Sequence, residues 1–427
     1  MNGLIIFSLL TVLMLTGMPI SIALGLTVLT FLFAMTQVPI EAVALKLFTG
    51  IEKFEIMAIP FFILAGNFLT HGGVARRMIN FAQALVGHWH GGLALAGVVA
   101  CALFAAVSGS SPATVVAIGS ILLPAMVRQG YPKNFGIGVI GTSGGLGILI
   151  PPSIVMVIYA VSTNSSIGKL FIAGIVPGLL LAAVLLAVTW LVAYRRDYPR
   201  LPRASFADVL KTLRESIWGL LLILVVIGGI YSGLFTATEA AAMSAVYAFV
   251  VAMFVYKDLG WKQIPRVLID SANMSAMLLY IITNAVLFSF LLTSENIPQN
   301  LAAWINSMGL EPWAFLLVVN LLLLIAGNFM EPSSVLLITA PILFPVAMQL
   351  GIDPIHFGII MTVNMEIGMI TPPVGLNLYV ASGIAHMGLT EVTKACAPWI
   401  LVMLAYLALI TYVPIISLWL PNALGMT

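Results

Sequence analysis

Charge is what this chain has least of. Asp, Glu, Lys and Arg together make up 7% of its 427 residues, against about 25% in a soluble domain. With 61% of residues hydrophobic, a soluble globular domain is excluded and the chain reads as an integral membrane protein. Cysteine is nearly absent. Cys101 and Cys396 both lie in apolar segments and form no CxxC, so core packing is expected of them rather than a disulfide or a zinc site. There is no GxxxxGK[ST], no HExxH and no Ser-His-Asp pattern, so nucleotide hydrolysis and protease chemistry have no support and no enzyme activity is expected. No nucleic-acid partner is expected either. The first apolar run, 2–16, has no basic segment before it and no small-residue cleavage site, and is read as a span, not a signal peptide. His88 and His90 flank Trp89 in what reads as a wetted loop rather than a metal site.

What the chain does have is one stretch that cannot be a straight helix: Gly141-Thr142-Ser143-Gly144-Gly145-Leu146-Gly147-Ile148-Leu149-Ile150-Pro151-Pro152-Ser153. It lies inside a long apolar segment. Its prolines donate no backbone N–H, and each helix-interior glycine costs about 1 kcal/mol relative to alanine. Inside a bilayer, broken backbone survives only when buried in protein or beside a water-filled cavity. There it leaves free N–H groups on one half and free carbonyls on the other, suited to an anion and a cation.

The stretch has a second copy. Residues 130–152 align without a gap on 351–373, an offset of 221 that sets Gly130 on Gly351, Gly147 on Gly368 and Pro151-Pro152 on Pro372-Pro373. Upstream, Ile121-Leu122-Leu123-Pro124 falls on Ile342-Leu343-Phe344-Pro345 at the same offset. Identity elsewhere is thin, but a shared offset across glycines and prolines indicates an internal duplication.

A span needs about 20 apolar residues. Candidates are 2–16, 19–36, 54–70, 134–162 and 168–194, then 215–235, 238–256, 267–292, 355–383 and 397–419. Between the third and fourth span of each half lie two apolar runs of about 15 residues, joined by a polar turn: 91–127 around Ser108–Pro112, and 312–348 around 327–334. The preferred reading is a re-entrant helical hairpin in each half; two short spans per stretch, fourteen crossings in all, is the alternative. Hairpins leave five spans per half, and an odd number inverts one half relative to the other. With the connector in the cytoplasm, fourteen of the seventeen Lys and Arg fall on that side, and only Lys46, Lys53 and Lys169 fall outside, as the positive-inside rule demands. Both termini are then periplasmic. The expected fold is an all-α polytopic membrane protein of the ion-transporter type, an inverted repeat of about ten transmembrane helices and two re-entrant hairpins. Its parts are a first repeat at 1–195, a cytoplasmic connector at 196–213 and a second repeat at 214–427. Segments 40–53, 74–88, 204–214 and 297–307 are poor spans and read as interfacial helices, with plain loop as the competitor for 204–214.

The first tip carries hydroxyls on Ser108 and Ser111 at the depth where the helix breaks around Gly147 and Ile150. Hydroxyls plus freed carbonyls, with no carboxylate, suit Na⁺ better than Ca²⁺ or Mg²⁺. The alternative for either serine is a bond back to its own helix. The mirror site pairs 327–334 with 368–374, where Thr371 replaces Ile150. Glu331 and Glu366 are the acidic residues placed near mid-membrane, where a buried charge points to ion or proton handling. Glu331 reads equally as a helix cap, and Glu366 as a structural hydrogen-bond partner. Helix N-termini at Pro112 and Ser333 favour an anionic group, and Asn364, Asn377 and Tyr379 add polar atoms near the second break.

Three motifs together carry a family resemblance: Ser108-Gly109-Ser110-Ser111-Pro112-Ala113-Thr114, Gly147-Ile148-Leu149-Ile150-Pro151-Pro152-Ser153 and Glu366-Ile367-Gly368-Met369-Ile370-Thr371-Pro372-Pro373-Val374-Gly375-Leu376-Asn377. Over essentially its whole length the chain resembles the large membrane subunit of a tripartite ATP-independent periplasmic (TRAP) transporter. The resemblance implies an elevator-type Na⁺ symporter of an organic acid in the bacterial inner membrane, with C4-dicarboxylates the substrate class. It implies two partners: a small membrane subunit of about four spans, here a separate chain, and a soluble periplasmic binding protein. It places one Na⁺ at Ser108, Ser111, Gly147, Ile150 and Pro152, and a second at Gly327, Gly368, Thr371 and Val374. The acid is then expected against Ser110, Pro112, Ser153, Asn328, Glu331, Ser333, Asn364 and Asn377. The moving block would be the two hairpins and the two broken spans, with the other spans as scaffold. A stand-alone Na⁺- or H⁺-coupled anion carrier is the runner-up, and a passive channel the reading of a different class.

Overall fold

The structure is a computed structural model that describes residues 2–36, 38–307 and 309–426. The described residues are helical, with no strand among them. The first half runs α1 (Asn2–Leu15), α2 (Ile20–Met35), α3 (Ile40–Thr49), a 3-10 turn Phe54–Met57 leading into α4 (Ala58–His71), α5 (Val74–Val86), α6 (Gly92–Ser108), α7 (Ser111–Arg128), α8 (Lys133–Ser143), α9 (Leu146–Leu149), α10 (Ile154–Thr163) and α11 (Ile167–Arg195). The second half runs α12 (Phe206–Tyr231), α13 (Ala237–Val250) with a π-helical turn to Val255, α14 (Ile264–Ser294), α15 (Ile297–Ser307), α16 (Pro312–Phe329), α17 (Pro332–Gln349), α18 (Pro354–Gly368), α19 (Leu376–Ala385), α20 (Leu389–Tyr412) and α21 (Ile415–Ala423).

Helix order repeats between the halves. Shifted by 221, the bounds of α6 and α7 fall within a residue of those of α16 and α17, and the gap from α8 to α10 falls on the gap from α18 to α19. Local chemistry sets the boundaries. Proline opens α16, α17 and α18, where its missing N–H would go unbonded anyway. Asp353 caps α18 by accepting from the N–H of Ile355 and His356. Ser205 with Asp208, and Thr236 with Glu239, form reciprocal capping boxes on α12 and α13.

Ten helical stretches among the described residues are long and apolar enough to cross a bilayer. They are not the ten expected. α1 and α2, of 14 and 16 residues, and the broken 355–383, split into α18 of 15 and α19 of 10, fall short, while α7, α16 and α17 qualify at 18 each. The hairpin arms outgrow the expected runs because their helices extend into the polar ends, α6 through Ser108 and α7 through Arg128. Segment 204–214 is not a separate helix: the Ser205 box starts α12, which continues without interruption to Tyr231. The last expected span, 397–419, is two helices, since α20 stops at Tyr412 and Pro414 caps α21.

Packing forms two groups. α4 lies against α13 and α14, and α14 against α2 and α3, with α12 on α13. In the other group α8 packs on α7, α19 and α20, while α18 packs on α16, α17 and α20. Residues 135–161 are all buried. α11 packs on α6, α18 and α21, and α20 on α8, α18 and α11.

Candidate site at the two helix breaks

The first tip is a two-residue turn. Gly109 takes φ 61 and Ser110 is extended before α7 begins. Only a residue without a side chain fits here: a Cβ on Gly109 would lie 2.9 Å from the Pro152 carbonyl oxygen. Across the gap, a Cβ on Gly147 would lie 2.7 Å from the Ser110 carbonyl oxygen. Tip and break therefore touch backbone to backbone, and the glycines allow it. Ser108 Oγ lies 2.9 Å from Thr114 Oγ1 and donates to Ser110 O at 3.3 Å. Ser111 Oγ accepts from Asn377 Nδ2 at 2.6 Å. Both serines are buried, and neither bonds back to the carbonyl four residues earlier. At the break, Ile150 to Ser153 are non-helical and the Pro151–Pro152 bond is cis. Ser153 is used locally, capping α10 by accepting from Met156 N–H and donating to Ile148 O. Pro112 sits in the first turn of α7.

The second tip has the same plan with different side chains. Gly327 meets Gly368, where a Cβ on Gly368 would lie 2.9 Å from Gly327 Cα. Val374 N–H donates to Asn328 O at 2.9 Å, and the Pro372–Pro373 bond is also cis. Thr371 Oγ1 donates back to Ile367 O at 2.6 Å. Glu331 is the N-cap of α17: it accepts from Ser333 Oγ at 2.6 Å and from Ser334 N–H at 3.3 Å. Of its two expected readings, the structure has the cap. The breaks differ in cover. Ile150 is 8% exposed, whereas Val374 is 37% exposed and Pro372 and Pro373 are open as well.

The second break also ties the two tips together. Val374 holds Asn328 of one tip and, three residues on, Asn377 holds Ser111 of the other. The breaks themselves meet as well, for a Cβ on Gly145 would lie 2.7 Å from Glu366 Oε1. Glu366 is fully buried, and neither carboxyl oxygen has a hydrogen-bond partner among the described residues. Asn328 Oδ1 and Asn377 Oδ1 are buried and unpartnered too. Asn364 is not brought to the tips. Its amide donates to Asn320 Oδ1 and Ile360 O, and Asn320 in turn donates to Thr411 Oγ1, a polar layer joining α16, α18 and α20. Tyr379 is half exposed on α19.

Sequence reading named Asn377 but not its partner, because 266 residues separate it from Ser111. Asn320 it missed altogether, although a lone amide in the apolar run of α16 was a signal that something had to satisfy it. What results is a centre lined by hydroxyl, carbonyl and amide oxygens, with the Glu366 carboxyl at the meeting of the breaks.

This fold, an all-helical chain with two broken segments meeting at buried loop tips, has counterparts among solved structures. It superposes on the Alcanivorax borkumensis YdaH transporter with a TM-score of 0.62 over 90% of this chain and 89% of that one, at 17% identity. Neisseria gonorrhoeae MtrF gives 0.57 over 91% and 85%, at 13% identity. Sequence goes further. The model of the tripartite ATP-independent periplasmic transporter DctM component matches residues 7–416, and the chain belongs to that family. It is 71% identical over 440 residues to the Rhodobacter capsulatus C4-dicarboxylate TRAP transporter large permease protein DctM, covering all of both chains. The protein of the same name from Pseudomonas aeruginosa is 56% identical over 405 residues, 95% of each. The isethionate TRAP transporter permease protein DctMQ of Oleidesulfovibrio alaskensis is 42% identical over 97% of this chain but 66% of its own length. These relatives are permease subunits, not enzymes. The chain is thus a multi-pass membrane permease subunit, as its motifs led one to expect.

Proposed function

We propose that this chain is the translocating subunit of a Na⁺-coupled importer of C4-dicarboxylates or a related organic acid in the bacterial inner membrane. The relatives named for C4-dicarboxylates, one of them 71% identical, support the substrate class. The family supports two partners, a periplasmic binding protein that delivers the acid and a small membrane subunit. The fused DctMQ name supports a close association of the two membrane parts. Both termini are placed in the periplasm by the distribution of lysine and arginine.

The observation that carries this reading is the bridge at Val374–Asn377, which draws both tips to one centre. An oxygen-only lining with two buried, unpartnered amide oxygens fits a hard cation. No arginine or lysine stands among these groups, so an anion there relies on the N-termini of α7 and α17, on hydroxyls and on Na⁺ bound alongside. A C4-dicarboxylate carries two negative charges, so the membrane potential assists its entry only when three or more Na⁺ accompany it, each net positive charge carried inward then gaining about 2.3 kcal/mol per 100 mV. The halves are inverted repeats, and the two hairpins, the broken segments, α11 and α20 slide as one block past α1–α4 and α12–α14.

The test is Na⁺ dependence of acid uptake in proteoliposomes holding this chain, its small subunit and its binding protein. Ser108→Ala with Ser111→Ala is expected to raise the half-saturating Na⁺ concentration about tenfold or more, the loss of one to two hydrogen-bonding oxygens. Unchanged Na⁺ dependence sinks the first cation site.

A further inference from the structure

The contact that bears on this motion lies away from the ion centre, at Lys53. Its ammonium donates to Val161 O at 3.0 Å and to Asn164 Oδ1 at 2.7 Å. Val161 lies in the last turn of α10, and Asn164 is its C-cap, in the left-handed region at φ 53. A cation over freed carbonyls at a helix C-terminus is the favoured arrangement. Lys53 itself stands on the other group of helices. It caps the 3-10 turn before α4, and that turn is pinned to α13 by Thr238 Oγ1 donating to Phe54 O at 3.3 Å.

Several of the long-range side-chain bonds among the described residues stay within one group. Asn67 to Ser271 joins α4 and α14; Trp399 to Thr189 and Tyr406 to Pro177 join α20 and α11. Lys53 crosses between groups. α10 also packs on the 3-10 turn and on α4 here, but a cavity of about 340 Å³ lies beside the bond, lined by Lys53, Glu55, Ala160, Val161, Asn164 and Ser165. The bond is not repeated in the second half, where the position 221 residues on is Met274, with no donor.

We propose that Lys53 is a one-sided latch: its bonds to Val161 and Asn164 hold the end of α10 against the scaffold in this conformer, and must open each time the block moves. The proposal rests on the sliding motion given above for the same chain. In the assembled transporter with Cys101 and Cys396 replaced by alanine, Lys53→Cys and Asn164→Cys are joined by a flexible bifunctional thiol reagent. Uptake is expected to survive the substitutions and to stop on cross-linking; undiminished uptake after complete cross-linking overturns the latch together with the sliding motion it rests on, while leaving Na⁺-coupled uptake to its own test. A second measurement needs no uptake. Spin labels at Glu52→Cys and Ser165→Cys leave the latch in place and should report two distance populations. Lys53→Met should shift weight to the longer distance by up to about fivefold, the scale of one lost charge–helix-end contact. A single distance, unmoved by Lys53→Met, also overturns the latch.

Discussion

At the scale of single residues, glycine decides whether the site can exist. Gly147 and Gly368 hold the same place in the two halves, and each faces backbone rather than a flexible side chain, Ser110 in one case and Gly327 in the other. A methyl at either position has nowhere to go, so Gly147→Ala and Gly368→Ala should each destabilise the chain by about 1–3 kcal/mol, as overpacking does. Thermal unfolding in detergent reads the loss. Gly383→Ala is the control, since nothing lies within 4 Å of the added carbon, and it should leave the midpoint unchanged or slightly raised. These glycines were legible in the sequence because they recur at one offset. Side-chain roles were less so. Glu331 could be a cap or an ion ligand by spacing alone, and the cap became visible only where Ser333 and Ser334 turn toward the carboxyl. Asn364 and Asn377 look alike in sequence, yet one joins helices and the other ties a tip, because they sit on opposite sides of the second break.

At the scale of elements, the arms that brace the hairpins are fixed by charge. α5 lies against α6, and Arg77 pairs with Asp258 while its guanidinium stacks 3.8 Å from the Tyr256 ring centre. This pair is only partly exposed. Arg77→Met should therefore cost about 1–2 kcal/mol, more than an open surface pair would, and increase hydrogen exchange along α5. Arg76, whose bond to the same aspartate is well exposed, should matter little. Ser205→Ala should cost about 1 kcal/mol and fray the first turns of α12. The sequence reading treated 204–214 as separate because its charges looked unlike a span. It overlooked Ser205 and Asp208, whose three-residue spacing starts a helix and carries it straight through the polar turn into the apolar run. Helix starts and stops set by proline, glycine and capping side chains were readable. Continuity across a change of polarity was not, because a helix backbone is indifferent to it once nucleated.

At the scale of the whole molecule, the repeat was legible in the sequence, but the packing partners of α11 and α20 were not, because both helices are apolar nearly all round and their sequences do not mark which face is covered. The inverted plan makes a topological prediction. Single cysteines at Gln129 and Leu350, each just past the end of a hairpin, should react with a membrane-impermeant thiol reagent from opposite sides, the first from the cytoplasm. Labelling of both from one side would remove the inversion.

The unequal cover of the two breaks has a consequence for the working cycle. If the halves alternate as proposed, matched halves in unmatched surroundings would mean that each displays the shape its twin takes at another moment. Threading residues 1–195 onto the path of 214–427, and the reverse, should generate a second, sterically sound arrangement in which Ile150 and Pro151 open outward and Val374 is sealed. The chain would then carry the coordinates of its opposite state within itself.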